Sequence, residues 1–252
     1  MSISPTALFL QERAPFANVI VSNGAADAQE VSISFDFGYS VSDEEGNITM
    51  EYLDNTNSRS LNEYLNAFPR NFMLDPGERQ TVRIAVRGLN DGEDGTYWSR
   101  ARILASPMSA SVESVQQESV AARININFEQ VIPVFYRKGE SVTGVKLNDV
   151  TFVQNEGNQN HFLVDLERTG NSPFVGSIET RIQNSSGEVV LEQRSNISVY
   201  YDLRRRLNLD RNDLPPGNYQ VDFLIQSRRR DISSSHLLQI EPVQLTQSFR
   251  IE

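Results

Sequence analysis

A two-residue alternation over residues 120–137 constrains the fold of this chain more than any other segment. Successive side chains of a β-strand point to opposite faces, so the alternation predicts a strand with one apolar face. That face carries Ala122, Ile124, Ile126, Phe128, Ile132 and Val134. The opposite face begins with the polar residues Arg123, Asn125, Asn127 and Glu129. Such a strand either packs within its own domain or offers its apolar face to a partner.

Short alternating segments recur along the chain, for example at 31–41, 82–86, 162–166 and 219–225. A turn cluster, DEEGN at 43–47, follows the first of them. Sustained helical periodicity is scarce, so nothing supplies the crossover helices of an α/β fold. The sequence therefore predicts an all-β fold of the sandwich type.

The length of 252 residues suits two domains of ordinary size, although one large sandwich remains an alternative. Two passages resemble each other, GTY at 95–97 and GNY at 217–219, and each opens an alternating segment. A tyrosine at the start of a late strand resembles the tyrosine corner of immunoglobulin-like sandwiches. We therefore expect two immunoglobulin-like β-sandwich domains in tandem, at 1–138 and 139–252.

Composition excludes several classes of protein. Hydrophobic residues at 38% and charged residues at 22% argue against disorder of the whole chain. The absence of cysteine excludes disulfides, thiolate catalysis and cysteine-ligated zinc. The net charge of -10 argues against a nucleic-acid partner, since phosphate binding needs clustered positive charge. The arginine runs at 204–206 and 228–230 are interpreted as solvated loop or edge segments.

No enzyme motif is found in the sequence. His161 and His236 are the only histidines, and no nucleophile motif such as G-x-S-x-G accompanies them. The acidic cluster Asp43, Glu44 and Glu45 lacks the spacing of an EF-hand loop, and no glycine-rich phosphate loop occurs. We therefore expect neither an enzyme nor a site for a cofactor or a metal.

Three motifs in order resemble a known family: LDPGERQTVRI at 74–84, GTYWSRARILASP at 95–107 and INFEQVIPVFYR at 126–137. They resemble the PapD-like periplasmic chaperones that assemble pili in the chaperone/usher pathway. SPTALFL at 4–10 and VIVSN at 19–23 are similar to the first two strands of that family. The resemblance covers residues 4–137 and is thinner in the second half, so the chain is interpreted as a divergent member.

The resemblance implies a boomerang of two immunoglobulin-like domains, in which the last strand of the first domain completes the fold of an incomplete pilin-like subunit. The donor residues then fall on Ile124, Ile126 and Phe128 of the strand at 120–137. Pairing of this kind is β-augmentation of an open sheet edge. The implied location is the periplasm, with any signal peptide already removed and no membrane insertion. An outer-membrane usher and a homodimer capped by its own donor strands are further partners to consider.

The family has two charged features, and this chain matches only one of them. Arg137 is similar to the family's interdomain salt-bridge arginine, with Asp94 near the position of its acidic partner. The cations that anchor a subunit's terminal carboxylate are replaced by Thr6 and Pro133. Either other cations such as Arg100 or Arg102 substitute, or the client is held without them, or the scaffold has changed its task.

A second class of function also fits the sequence. A two-domain binding or structural module of the cell envelope has the same architecture, and fold alone does not determine function. In such a module residues 120–137 simply complete a sheet. Burial distinguishes the two hypotheses, because a chaperone must leave its donor side chains exposed when it is alone.

Overall fold

The fold is all-β, as predicted. A computed structural model describes residues 1–53, 57–108, 126–154, 160–209 and 214–252. These residues form strands and turns with two short 3-10 turns, Asn62–Tyr64 and Ser234–His236, and no α-helix occurs among them. The chain divides into two compact units, and each has its own hydrophobic core.

The two units are not simple halves of the chain. Unit 1 comprises residues 1–38, 53–92 and 97–138. Unit 2 comprises residues 39–52, 93–96 and 139–252. Two segments from the first half of the sequence therefore group with unit 2, which the predicted boundaries do not anticipate.

Unit 1 is a sandwich of two sheets, as expected of an immunoglobulin-like domain. The first sheet has the order β1 (Ser2–Ser4), β3 (Phe16–Ser22), β9 (Arg79–Val86) and β7 (Leu65–Phe68). The second has the order β2 (Leu8–Gln11), β11 (Phe128–Lys138), β10 (Gly95–Pro107), β4 (Gln29–Asp36) and β8 (Asn71–Leu74). The predicted alternation is visible in β9, where Val82 and Ile84 enter the core and Thr81 and Arg83 face outward.

Unit 2 is also a sandwich of two sheets. The first has the order β12 (Thr143–Val153), β13 (His161–Gly170) and β16 (Asp202–Asn208). The second has the order β15 (Val189–Val199), β14 (Phe174–Asn184), β17 (Gly217–Gln226) and β18 (Val243–Ile251). The predicted tyrosine corner is confirmed at the start of β17, where the Tyr219 hydroxyl donates a hydrogen bond to the Pro215 carbonyl at 2.7 Å.

A hairpin of β5 (Gly38–Ser42) and β6 (Ile48–Tyr52) contributes most of residues 39–52 to unit 2. The alternation at 31–41 predicts one strand, but the chain divides at Phe37 into β4 and β5. The predicted turn at 43–47 is confirmed, and Gly46 adopts a φ of +76° there. The hairpin bonds to β16 through Arg204 N to Ser42 Oγ at 2.7 Å and Arg206 N to Gly46 O at 3.1 Å.

The arginine run at 204–206 therefore lies on an edge strand. Arg204 and Arg206 bond to the hairpin, and burial lowers the pKa of the Arg205 guanidinium. The second run, at 228–230, directly follows β17, and Arg229 forms an ion pair with Asp231. Arg228 and Arg230 are exposed, as expected of a solvated segment.

Candidate functional site

Strand β11 has no neighbouring strand on one side of its first half among the described residues. It lies between β10 and β2 in the five-stranded sheet of unit 1. The parallel pairing with β2 extends only from Val134 opposite Leu8 to Arg137 opposite Gln11. No strand among the described residues covers 128–133 on that side. An uncovered edge presents backbone N–H and C=O groups that can pair with another chain.

The apolar face of β11 becomes steadily more exposed toward the start of the strand. Val134 and Tyr136 belong to the core of unit 1, and Ile132 is only 1% exposed. Phe128 packs against the same core but is only partly buried. Ile126, two residues further back, is 75% exposed. The apolar pattern therefore continues beyond the core that it helps to build.

The structure shortens the predicted strand. β11 begins at Phe128, and Ile126 and Asn127 precede it outside any strand. Strand geometry there needs a hydrogen-bonded partner, and the described residues supply none. Residues 120–125, including the predicted donor residue Ile124, lie outside the described residues. Of the predicted donor residues, Ile126 is exposed and Phe128 opens the strand.

The other face of β11 is aromatic near its end. Phe135 is buried and stacks on Phe9 of β2, with ring centroids 5.2 Å apart. The Arg137 guanidinium carbon lies 5.7 Å from the centroid of the Phe9 ring. Burial lowers the pKa of the Arg137 guanidinium, which still remains charged at neutral pH because the usual value is far higher. Arg137 therefore keeps its charge while packing on an aromatic ring.

Asp94, the predicted partner of Arg137, organises a turn of unit 2. Its Oδ2 accepts a hydrogen bond from the Glu140 backbone N–H at 3.1 Å. Gly139 adopts a φ of +53°, and a Cβ at that position would collide with the Asp94 carboxylate. These contacts fix Asp94 against the start of the 139–252 segment. The ion pair between Arg137 and Asp94 stays a prediction.

Thr6 and Pro133 stand where the family resemblance implies cations, and both lie at the start of the pairing between β2 and β11. Thr6 comes two residues before Leu8 and is exposed, and Pro133 comes one residue before Val134. Pro133 also lacks a backbone N–H, so this point of the edge cannot donate a hydrogen bond. Any chain that pairs with the edge must find its donors on either side of Pro133.

The two alternative cations are both engaged within unit 1. Arg102 of β10 donates a hydrogen bond from Nε to Asp36 Oδ2 at 2.9 Å and forms an ion pair with Glu129. It therefore ties β10 to both β4 and β11. Arg100 is buried and donates from Nε to the Gly38 carbonyl at 3.0 Å. Use of either residue as a carboxylate anchor would require a rearrangement of these bonds.

The histidine and acidic side chains of the described residues form no metal-binding cluster. His161 is buried in β13, and His236 is exposed in a 3-10 turn. In the part of the chain that the structure describes, no group of three or more His, Asp or Glu side chains could hold a metal ion. None of the helical turns described is long and apolar enough to cross a membrane.

Comparison with known proteins supports the fold. No protein-family model and no curated protein matches this sequence. The crystal structure of the YadV chaperone matches 99% of this chain and 98% of its own, with a TM-score of 0.50 and 13% identity. At that identity the match shows a shared fold along nearly the whole chain.

Two further solved structures align with lower scores. The structure of the Salmonella enterica SafA pilin in complex with the SafB chaperone matches with a TM-score of 0.48 and 12% identity, covering 98% of this chain and 95% of that chain. The Pseudomonas aeruginosa CupB2 chaperone matches with a TM-score of 0.46 and 10% identity, covering 99% of this chain and 100% of that chain. The two sandwiches of the fold and the match to the YadV chaperone show the two immunoglobulin-like domains that the sequence predicts.

Proposed function

We propose that this chain is a periplasmic chaperone that binds incomplete pilin-like subunits by donor-strand complementation. The observation that carries the proposal is the apolar series of β11 and the residues just before it, which passes from Ile132 at 1% exposure to Ile126 at 75% exposure. The shared fold with the YadV chaperone supports it. The resemblance in the motifs at 74–84, 95–107 and 126–137 gives independent support from the sequence.

The free edge of β11 provides a physical mechanism. A client with an open sheet edge can hydrogen-bond to the backbone of 128–132, while Ile126 and Phe128 fill its groove. Transfer of an exposed isoleucine from water to an apolar groove contributes roughly 1.5 to 3 kcal/mol before ordering costs. The side chain of Ile124 would extend the same series if the strand lengthens when a client binds.

In this proposal the chaperone differs from the PapD-like chaperones that it resembles, because Thr6 and Pro133 stand where those proteins have anchoring cations. With Arg100 and Arg102 engaged within unit 1, the client is held mainly by backbone pairing and apolar contacts. Binding of this kind is weakly dependent on salt, because few exposed charges contribute. An outer-membrane usher and a self-capped homodimer remain partners that the proposal includes, the latter because exposed edges can pair with each other.

The experiment that tests the proposal is co-purification from the periplasm of the native host followed by mass spectrometry. Wild-type protein is compared with Ile126→Asp, which buries no charge because Ile126 is exposed. Val189→Asp, a change at an exposed residue of unit 2, is the matched control. We expect small β-rich subunits with the wild type and the control only. Recovery of the same proteins with all three, or of none, would favour the envelope module instead.

A further inference from the structure

The outer face of the four-stranded sheet in unit 1 carries large exposed apolar side chains. In β3 the inward residues Val19 and Val21 are fully buried, whereas Phe16 and Ile20 point outward and are exposed. In β7 Phe68 points outward and is 79% exposed. We call this surface the outer face, defined by the outward residues of β1, β3, β7 and β9: Ser2, Ser4, Phe16, Asn18, Ile20, Ser22, Asn66, Phe68, Arg79, Thr81, Arg83 and Ala85.

The charge of the outer face is purely positive. Arg79 and Arg83 point outward from β9, and the set contains neither aspartate nor glutamate. Within the residues that the structure describes, neither arginine forms an ion pair. The whole chain has a net charge of -10, so the charge of this face is opposite in sign to that of the chain.

Arg83 is placed at the centre of the apolar side chains. Its guanidinium carbon lies 3.7 Å from the centroid of the Phe16 ring, a cation–π contact. The strand register sets Arg83 between Asn18 of β3 and Phe68 of β7. A guanidinium stacked on a ring keeps its N–H groups at its edge available for a carboxylate. The face therefore combines an ordered cation with apolar surface on both sides.

The dimensions of the face suit an extended segment of polypeptide. Arg79 and Arg83 lie four residues apart on one strand, which corresponds to about 13 Å. Alternate side chains of an extended peptide repeat at about 7 Å, so two acidic side chains four residues apart match the two arginines. The side chain midway between them lies over Thr81, which is opposite Ile20 in the strand register.

Charge selects the class of partner. A second copy of this chain joined through the same face would bring like charges together, which is unfavourable at short range. A nucleic acid would meet a protein with a net charge of -10, which opposes its approach. An acidic segment of another protein is complementary to the two arginines and to the exposed apolar side chains.

We propose that the outer face binds an extended segment of another protein that carries both acidic and apolar side chains. The acidic side chains pair with Arg79 and Arg83, and the apolar ones pack on Phe16, Ile20 and Phe68. β11 belongs to the other sheet of unit 1, so this surface is separate from the donor edge. The inference therefore does not depend on the chaperone function.

The experiment uses a matched pair of synthetic probes with the full chain. The first probe is a blocked heptapeptide with glutamate at positions 2 and 6, phenylalanine at position 4 and serine elsewhere, so that all three side chains share one face when the peptide is extended. The second probe replaces each glutamate by lysine. Binding is measured by fluorescence anisotropy, and its location by chemical-shift changes of backbone amides. We expect the glutamate peptide to bind at least tenfold more tightly than the lysine peptide, with shifts confined to β3, β7 and β9.

Variants separate charge from apolar contact. The double variant Arg79→Glu with Arg83→Glu should bind the glutamate peptide at least tenfold more weakly. The double variant Ile20→Thr with Phe68→Ser should also bind it more weakly. Arg250→Glu, at an exposed arginine of β18, is the control and should leave binding unchanged. Circular dichroism melts confirm that each variant is folded.

Three results would overturn the inference. Equal binding of the two peptides would remove the role of charge, and shifts outside β3, β7 and β9 would place the site elsewhere. Tighter binding of an oligothymidylate or of anionic lipid vesicles than of the glutamate peptide would assign the face to a different class of partner.

Discussion

Arg204 donates two hydrogen bonds to Asp165, from Nε to Oδ1 and from Nη2 to Oδ2, each at 2.7 Å. The residues are opposite each other in the register of β13 and β16. Arg204 also donates to the Glu44 carbonyl, and its backbone N–H binds Ser42 Oγ. One side chain thus connects the edge of a sheet in unit 2 to the hairpin of β5 and β6.

This ion pair predicts a pH dependence of stability. Hydrogen bonding from Arg204 lowers the pKa of the Asp165 carboxyl below its usual value of about 3.9. The pair therefore stabilises the fold above about pH 4, and this contribution is lost as the pH falls through the lowered pKa. Asp165→Asn should reduce stability modestly at pH 7, because the pair is partly exposed. The difference between the urea melts of the two proteins should shrink as the pH falls through the lowered pKa, and a difference that does not change with pH would contradict the assignment.

Alanine substitutions at Ile132 in β11 and at Ile126 just before it should have opposite effects on stability and on client binding. Ile132→Ala should lower the free energy of unfolding by about 2 to 5 kcal/mol, because it opens a cavity in the core of unit 1. Ile126→Ala should change stability by less than about 0.5 kcal/mol, as is usual at exposed positions. Ile126→Ala should instead weaken binding of a client subunit about tenfold. A large loss of stability in Ile126→Ala would place that side chain in the protein's own core.

A double-mutant cycle tests the predicted ion pair of Arg137 and Asp94. Asp94→Asn removes the charge but keeps an acceptor for the Glu140 N–H, and Arg137→Met keeps an apolar chain to pack on Phe9. Chemical denaturation of the two single variants and the double variant should give a coupling energy of about 0.5 kcal/mol or more. Additive effects would show that the two side chains stabilise the fold independently.

Gly46 should be indispensable at the tip of the hairpin. Its φ of +76° is strained for other residues, and an added Cβ would lie 2.7 Å from the Arg206 backbone nitrogen. Gly187 has a φ of +79° with no atom near the added Cβ, so it isolates the backbone contribution. Thermal melts should show that Gly46→Ala costs more than Gly187→Ala, which should itself cost about 1 kcal/mol. Equal costs would mean that the hairpin can move away from β16.

Period-two patterns predicted the strands well wherever one face is buried. The residues that alternate in β9 and β17 do enter the cores, because burial of one face fixes the register. The prediction was wrong at Phe37, since alternation continues through a point where the chain leaves one sheet for another. The same pattern could not place the start of β11, because alternation does not reveal whether a neighbouring strand is present.

The proposed functional residues were predictable to different degrees. Ile126 and Phe128 followed from periodicity and from the family resemblance together. The outer face was missed, although Phe16, Ile20 and the alternating Arg79 and Arg83 are plain in the sequence. Only the register of β3, β7 and β9 brings these separate alternations onto one surface.

Unit 2 is built from segments that are far apart in the sequence, so it can be completed only late in synthesis. The hairpin leaves the ribosome early, whereas its partner Arg204 lies 162 residues after Ser42. Until β16 has been made, the hairpin lacks the strand to which Ser42 and Gly46 hydrogen-bond. The nascent chain therefore carries the hairpin of unit 2 while the rest of unit 1 is being made. A fragment of residues 139–252 expressed alone would lack this hairpin permanently.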